Sequence, residues 1–186
     1  IRITREMMED TQFELLNKNI ATAGIKFAEN ETNLILTALD GANATITGGA
    51  AATIANITAG MLEIENNDYK PTDLIIGNEF LNDLRNIDTF VEANKAGNTE
   101  MMDRGFKGII YGMNVANFST TAAPSTTYAK YGYIFDRAQA YGIAIKRDLT
   151  VENFNMPTYD MQGAALTQRI DVKLHRSKAV EKITTT

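Results

Sequence analysis

The 186-residue chain has no cysteine and a single histidine, His175. Without cysteine, neither disulfides nor thiolate chemistry can hold or operate the protein. One histidine and no thiolate also leave little from which to build a zinc site, which draws mainly on those two ligands. A basic surplus is missing as well. Eighteen Lys and Arg stand against 23 Asp and Glu, for a net charge of −5, so nothing resembles a face built to grip a polyanion. No apolar run approaches the roughly 18 residues that a membrane span needs. No basic-then-apolar leader opens the chain, and its first residue is Ile1, so an upstream portion is expected to be missing.

What is present is ordinary globular material. Hydrophobic residues make up 44% and charged residues 22%, enough for a substantial core in one medium domain or two closely joined halves. Four Asn-x-Ser/Thr sequons occur, at Asn30, Asn43, Asn56 and Asn117. In a chain this rich in Asn and Thr they arise readily by chance and do not argue for a glycosylated secreted protein.

The opening segment, "TREMMEDTQFELLNKNIATAGIKFAENETNLILTALDG", has the spacing of one long helix. Thr4 is a candidate N-cap, and Glu6, Glu9 and Asp10 place negative charge near the positive end of the helix dipole. Apolar residues recur at Met8, Leu16, Ile20, Ala23, Phe27, Leu34 and Ala38, with Leu15, Ile35 and Leu39 widening the stripe. Asp40-Gly41 supplies the stop, with Gly41 able to take a left-handed conformation. Some 36 helical residues would span about 54 Å, whereas a compact domain of this size is about 40 Å across. Either the helix breaks at Gly24, or the subunit is an elongated slab whose rod is supported by neighbouring copies.

Beyond it, "GANATITGG" (41–49) is expected to be a flexible joint. Ile54, Ile57, Met61 and Ile64 predict a helix ended by Lys70-Pro71. "TDLIIG" predicts a short buried strand at 74–76, and "NEFLNDLRNI" a helix from Asn78 with Phe80, Leu81, Leu84 and Ile87 inward. Residues 88–105 read as an exposed loop, and "STTAAPSTTY" (119–128) as a mobile one with almost nothing to bury. "YGYIFD" predicts a strand at 131–135 and "AYGIAIKRDLTVE" another at about 140–152. "LTQRIDVKLHR" alternates strictly, with Leu166, Ile170, Val172 and Leu174 on one face and Arg169, Asp171, Lys173 and His175 on the other, as a half-buried antiparallel strand does. "KAVEKIT" adds a final strand. The pattern is that of an α+β protein with mixed or antiparallel sheets.

No reaction site emerges, and no catalytic, cofactor-binding or metal-binding residue is assigned. His175 falls on the polar face of a strand. Glu6, Glu9 and Asp10 cluster, but helix capping accounts for them without a metal. Gly48-Gly49 lacks the Lys-Ser/Thr of a phosphate loop. Ser119 and Ser125 sit in no nucleophile-elbow pattern. Met7, Met8, Met101 and Met102 are gap fillers or loop residues rather than a partner-binding groove. In "GFKGIIYGMNV" (105–115) the glycines Gly105, Gly108 and Gly112 do not match the dinucleotide fingerprint, and no helix follows to offer a dipole to phosphate. Ile109, Ile110, Tyr111 and Val115 favour extended structure. A strand bent near Gly112 and crossing a crowded interior is expected.

That same stretch, read on through "ANFS", resembles the G-x-i-x-G-x-x-V-x-x-S strand of tailed-bacteriophage major capsid proteins, whose fold encapsulin shells share. "TDLIIGNEFLNDL" is similar to the strand–helix element before it, although the family usually has Pro near Glu79 and this chain does not. "YIFDRAQAYGIAIKRDLTVE" and "RIDVKLHRSKAVEKI", the latter with its Ala179-Val180 pair, resemble the later strands. The opening helix, with its Glu9-Asp10 pair, is similar to the family's long spine helix. The matches run in order over nearly the whole chain.

The resemblance implies a major-capsid fold with a peripheral domain made of the spine helix (1–45) and closing strands (148–186), and an axial domain (46–147) directed to the centre of a five- or six-fold ring. It implies a structural role without cofactors: identical copies assembling into pentamers and hexamers of an icosahedral shell around double-stranded DNA. The DNA would lie near the shell without specific contact, and no membrane is involved. The expected location is the virion, with assembly in the host cytoplasm. The family's N-terminal arm and extended β-hairpin loop would precede Ile1, and the lysine–asparagine crosslink of some relatives is placed on no residue here. Loops 88–105 and 119–128 would form capsomer-centre or outer surfaces. The alternatives are an encapsulin-type nanocompartment, a metal-dependent enzyme using the acidic start of the first helix, and a monomeric binding module gripping a ligand with loop 119–128.

Overall fold

The computed structural model describes residues 1–4, 6–7, 15–42, 44–87 and 109–185. Glu9, Asp10, Met8, Met101, Met102, Gly105, Gly108 and the expected loop at 88–105 lie outside the described residues. The elements are β1 (Arg2–Thr4), α1 (Leu15–Leu39), β2 (Ala44–Thr47), α2 (Ile54–Asn66), β3 (Asp73–Ile76), α3 (Asn78–Arg85), β4 (Ile109–Ile110), β5 (Met113–Asn117), β6 (Tyr131–Phe135), β7 (Tyr141–Met156), β8 (Met161–Leu174) and β9 (Val180–Thr184).

They fall into two compact units. One comprises Ile1–Glu31 with Ile143–Asp171, the other Thr32–Gly142 with Val172–Thr186. These units do not divide where the expected domains 1–45, 46–147 and 148–186 do. The last strand is the reason: β9 is hydrogen-bonded between β2 and β6, so it shares a sheet with the middle of the chain.

The larger unit is built on a six-stranded mixed sheet in the order β2-β9-β6-β3-β5-β4. β2 pairs with β9 and β3 with β5 in parallel, and the other ladders are antiparallel. Alternation along β6 splits the core in two. Ile134 joins Ile57 and Ile64 of α2, Leu74 and Ile76 of β3, Phe80 and Leu84 of α3, and Ile183 of β9. Tyr133 and Phe135 instead join Leu36 and Leu39 of α1 with Phe118 and Val180. The stripe read from sequence therefore needs one amendment. Leu36, which lies outside the expected series, is buried with Leu39, while Leu34 and Ile35 are half-buried.

Helix α1 runs 25 residues through Gly24 without interruption, about 38 Å. A Cβ at Gly24 would meet nothing within 4 Å. Thr4 closes β1 and also caps the helical residues Glu6 and Met7 that follow, its hydroxyl accepting from the Met7 N–H at 3.4 Å. Gly41 follows the helix end but is not in the left-handed region. Leu174 explains a glycine there, because its Cδ2 would stand 3.1 Å from an added Cβ.

The joint at 41–49 is in part a strand. Thr45 and Ile46 are β-branched, and β2 gains a parallel partner in β9. Helix α2 closes at Asn66, before Lys70-Pro71, and opens at Thr53, whose side chain caps the Asn56 N–H. The segment 119–128 does bury one residue: Ser119 and Ser125 cap two short 3-10 turns, with Ala122 buried in the first and Ala129, just past the segment, buried in the second. That turn is tightly seated, since a Cβ at Gly77 would come within 2.3 Å of the Ala129 carbonyl oxygen.

"IIYGMN" folds as a hairpin rather than one bent strand. Ile109–Ile110 pair antiparallel with Met113–Asn114, and Tyr111 and Gly112 both take positive φ, 49° and 82°, as a two-residue primed turn requires. The place is not crowded. Nothing would lie within 4 Å of a Gly112 Cβ, and Ile109 and Tyr111 are exposed.

The smaller unit carries a three-stranded sheet in the order β1-β8-β7. β1 pairs with the start of β8, Arg2 opposite Gly163. β7 and β8 are joined by a turn at Pro157–Asp160, and the Thr150 and Thr167 side chains meet at 2.9 Å. Gln168 donates to Glu31, fixing β8 to α1 just past the helix midpoint.

Candidate assembly surfaces and the buried polar cluster

Among the described residues, none of the sequence-level candidates gathers into a reactive site. His175 is exposed just past β8, its ring against Gly142. Glu6 is exposed. Gly48 is buried where its N–H bonds the Thr184 carbonyl at 2.7 Å, a sheet contact rather than a phosphate cradle. The hydroxyls of Ser119 and Ser125 cap turns. Among the described residues, no group of three or more His, Cys, Asp and Glu could hold a metal ion, and no helix is long and apolar enough to cross a membrane.

The polar contacts of the larger unit join buried groups to exposed ones. At the end of α1, Asp40 receives the Lys182 ammonium and, at 3.3 Å, the Tyr133 hydroxyl. Lys182 also lies 4.1 Å from the centre of the Tyr131 ring, a cation–π contact. Burial, with the Asp40 charge behind it, pushes the Tyr133 phenol far above its ordinary range and Tyr128 to about 12, so both remain neutral donors. A second pair, Arg137 with buried Asp73 at 2.9 Å, holds the turn after β6.

Glu181 is the exception. It is 3% exposed, yet its Oε1 has no partner. Burial, then the nearby charge of Glu63 on α2, pushes its carboxyl up to about 7. None of these groups stood out in the sequence, because nothing there says that residues 40, 133 and 182 converge.

Two apolar surfaces are open among the described residues. Leu62 on α2 and Tyr111 at the hairpin tip, 57% and 54% exposed, line a shallow depression with Ala59 and Met61. On β7, Ile143, Ile145, Leu149 and Val151 project uncovered. Their period-two spacing was legible in "GIAIKRDLTVE", but which strands would lie beside it was not.

Comparison with known proteins agrees with this picture. No curated protein matches the chain by sequence. By structure it is similar to a chain of Mycobacterium phage Che8 (TM-score 0.81, 15% identity, 98% of this chain and 68% of that one). It is similar to the asymmetric unit of the bacteriophage PhiM1 mature capsid (0.75, 12%, 100% and 69%). It is also similar to a virus-like particle from Pyrococcus furiosus (0.64, 14%, 98% and 72%). The family model for phage capsid protein matches residues 1–181. With nearly its whole length inside that match, the chain belongs to the phage capsid protein family and is a structural capsid subunit.

Proposed function

We propose that this chain forms the shell of a phage or prophage, assembling with identical copies into pentamers and hexamers that close as an icosahedron around double-stranded DNA. The family match over residues 1–181 carries the reading. The chain's own chemistry supports it: apolar residues such as Ile143, Ile145 and Leu62 are left on the surface, where copies can meet. Its net charge of −5 suits a wall that encloses DNA without gripping it. On this reading the unit of Ile1–Glu31 and Ile143–Asp171 takes the peripheral role, the other unit the axial one. The particle is the virion, assembled in the host cytoplasm, and the subunit's contribution is mechanical rather than catalytic.

Light scattering and negative-stain microscopy of the full natural product test this. Rings or closed shells uphold it, and a monodisperse monomer at all concentrations overturns it. The likeness to the Pyrococcus furiosus virus-like particle favours a second reading, an encapsulin-type compartment. Shells purified with protein cargo and no protected DNA would select it.

A further inference from the structure

The apolar stripe on β7 has a definite place in the smaller unit. Thr150 and Thr167 touch side chain to side chain, so the even-numbered residues of β7 share a face with Thr167. Side chains alternate along a strand, which puts Ile143, Ile145, Leu149 and Val151 on the other face, with Gln168. Gln168 is bonded to Glu31 of α1. The stripe therefore lies on the helix-bearing face, one strand beyond the strand the helix is bonded to, and its members are 38–60% exposed. In the order β1-β8-β7 the far edge of β7 has no neighbour among the described residues.

We infer that the occupant of this edge is β7 of a second copy, paired antiparallel about a two-fold axis at Leu149. This rests on the reading of the chain as a self-assembling subunit. Charge selects the partner and the register. Exposed edges are commonly guarded by like charges, but this one carries both signs: Lys146, Arg147, Asp148 and Glu152, with no ion pair among the described residues. An axis at Arg147 would oppose two guanidinium groups, and one at Asp148 two carboxylates. An axis at Leu149 opposes Leu149 with Leu149 and places Lys146 across from Glu152 twice, the favourable arrangement for facing side chains. Such a two-fold keeps both helices on one face. The joined strands would set the β8 strands about 14 Å apart, with both apolar stripes enclosed between the helices above them.

The absence of cysteine makes the test clean. In full-length protein, Leu149→Cys places two thiols across the axis with Cβ atoms about 5 Å apart, and mild oxidation is expected to give disulfide dimers in high yield. Ile145→Cys would lie about 27 Å from its own copy and should not crosslink. Lys146→Glu or Glu152→Lys in the Leu149→Cys background should lower the yield about tenfold, and the two together should restore it, a rescue that a folding defect would not give. Shells that form without Leu149→Cys dimers, or in which Ile145→Cys crosslinks equally, overturn this inference and leave the shell reading intact. Crosslinked dimers without shells overturn the shell reading alone, and a monomer without crosslinks overturns both.

Discussion

The Tyr133 hydroxyl donates to the Asp40 carboxylate at 3.3 Å, joining the middle of the six-stranded sheet to the end of the spine-like helix. The same carboxylate holds Lys182. Removing one member of such a set costs more than removing the set, because the survivor is left desolvated and unpaired. Tyr133→Phe should cost about 1 kcal/mol, and Asp40→Ala about 2–3 kcal/mol. Asp40→Ala with Lys182→Met should recover much of the latter. Urea midpoints across this double-mutant cycle measure the coupling, and strictly additive losses would show that Lys182 and Asp40 are not a working pair.

Glu181 gives the fold a pH dependence of unusual sign. Burial, then the Glu63 charge, pushes its folded-state carboxyl from the ordinary 4.5 up to about 7. The folded state therefore binds the proton more tightly than the unfolded chain does. The destabilising contribution is absent below about pH 4.5, grows as pH rises, and is complete above about pH 7. Glu181→Gln should raise stability at pH 8 by about 2 kcal/mol and change it little at pH 4.5. Thermal melts of both proteins across that window decide it; an equal shift at both ends would point to packing rather than ionisation.

The turn at Tyr111-Gly112 offers a test in opposite directions. Gly112 at φ 82° is where a Cβ is strained, so Gly112→Ala should destabilise by about 1 kcal/mol despite the open space around it. Tyr111 at φ 49° already bears that strain, and Tyr111→Asn, which tolerates the left-handed region, should stabilise by a few tenths of a kcal/mol. Chemical denaturation resolves both signs.

Much of this architecture could be read from residue spacing alone. Ile57 and Ile64 on α2, Phe80, Leu81 and Leu84 on α3, and the alternation through Leu166, Ile170, Val172 and Leu174 all occupy the elements expected of them. The failures share one cause, that local pattern does not report long-range partners. "ATIT" looked like a joint until β9 lay beside it. "STTAAPSTTY" looked like a loop with almost nothing to bury, yet Ala122 is buried there. Nothing in "KAVEKIT" marks Glu181 as buried, which α2 packing on β9 brings about. The β7 stripe is the converse case: its pattern demands a covered face, and nothing described within the chain covers it.

Two glycines separate packing from propensity. At Gly77 an added Cβ would stand 2.3 Å from the Ala129 carbonyl oxygen and 2.4 Å from that of Tyr128. Both are backbone atoms that cannot rotate away, so Gly77→Ala should displace the turn or abolish folding. At Gly24 the same change meets open space inside a continuous helix, and Gly24→Ala should stabilise the free subunit by about 1 kcal/mol. If copies pack closely against α1 in the assembled shell, the methyl group intrudes there alone. Melting of the free subunit then rises while the yield of closed particles falls. Particle counts by microscopy beside the melts separate these outcomes, and a rise in both would show that the Gly24 flank of α1 faces solvent in the shell.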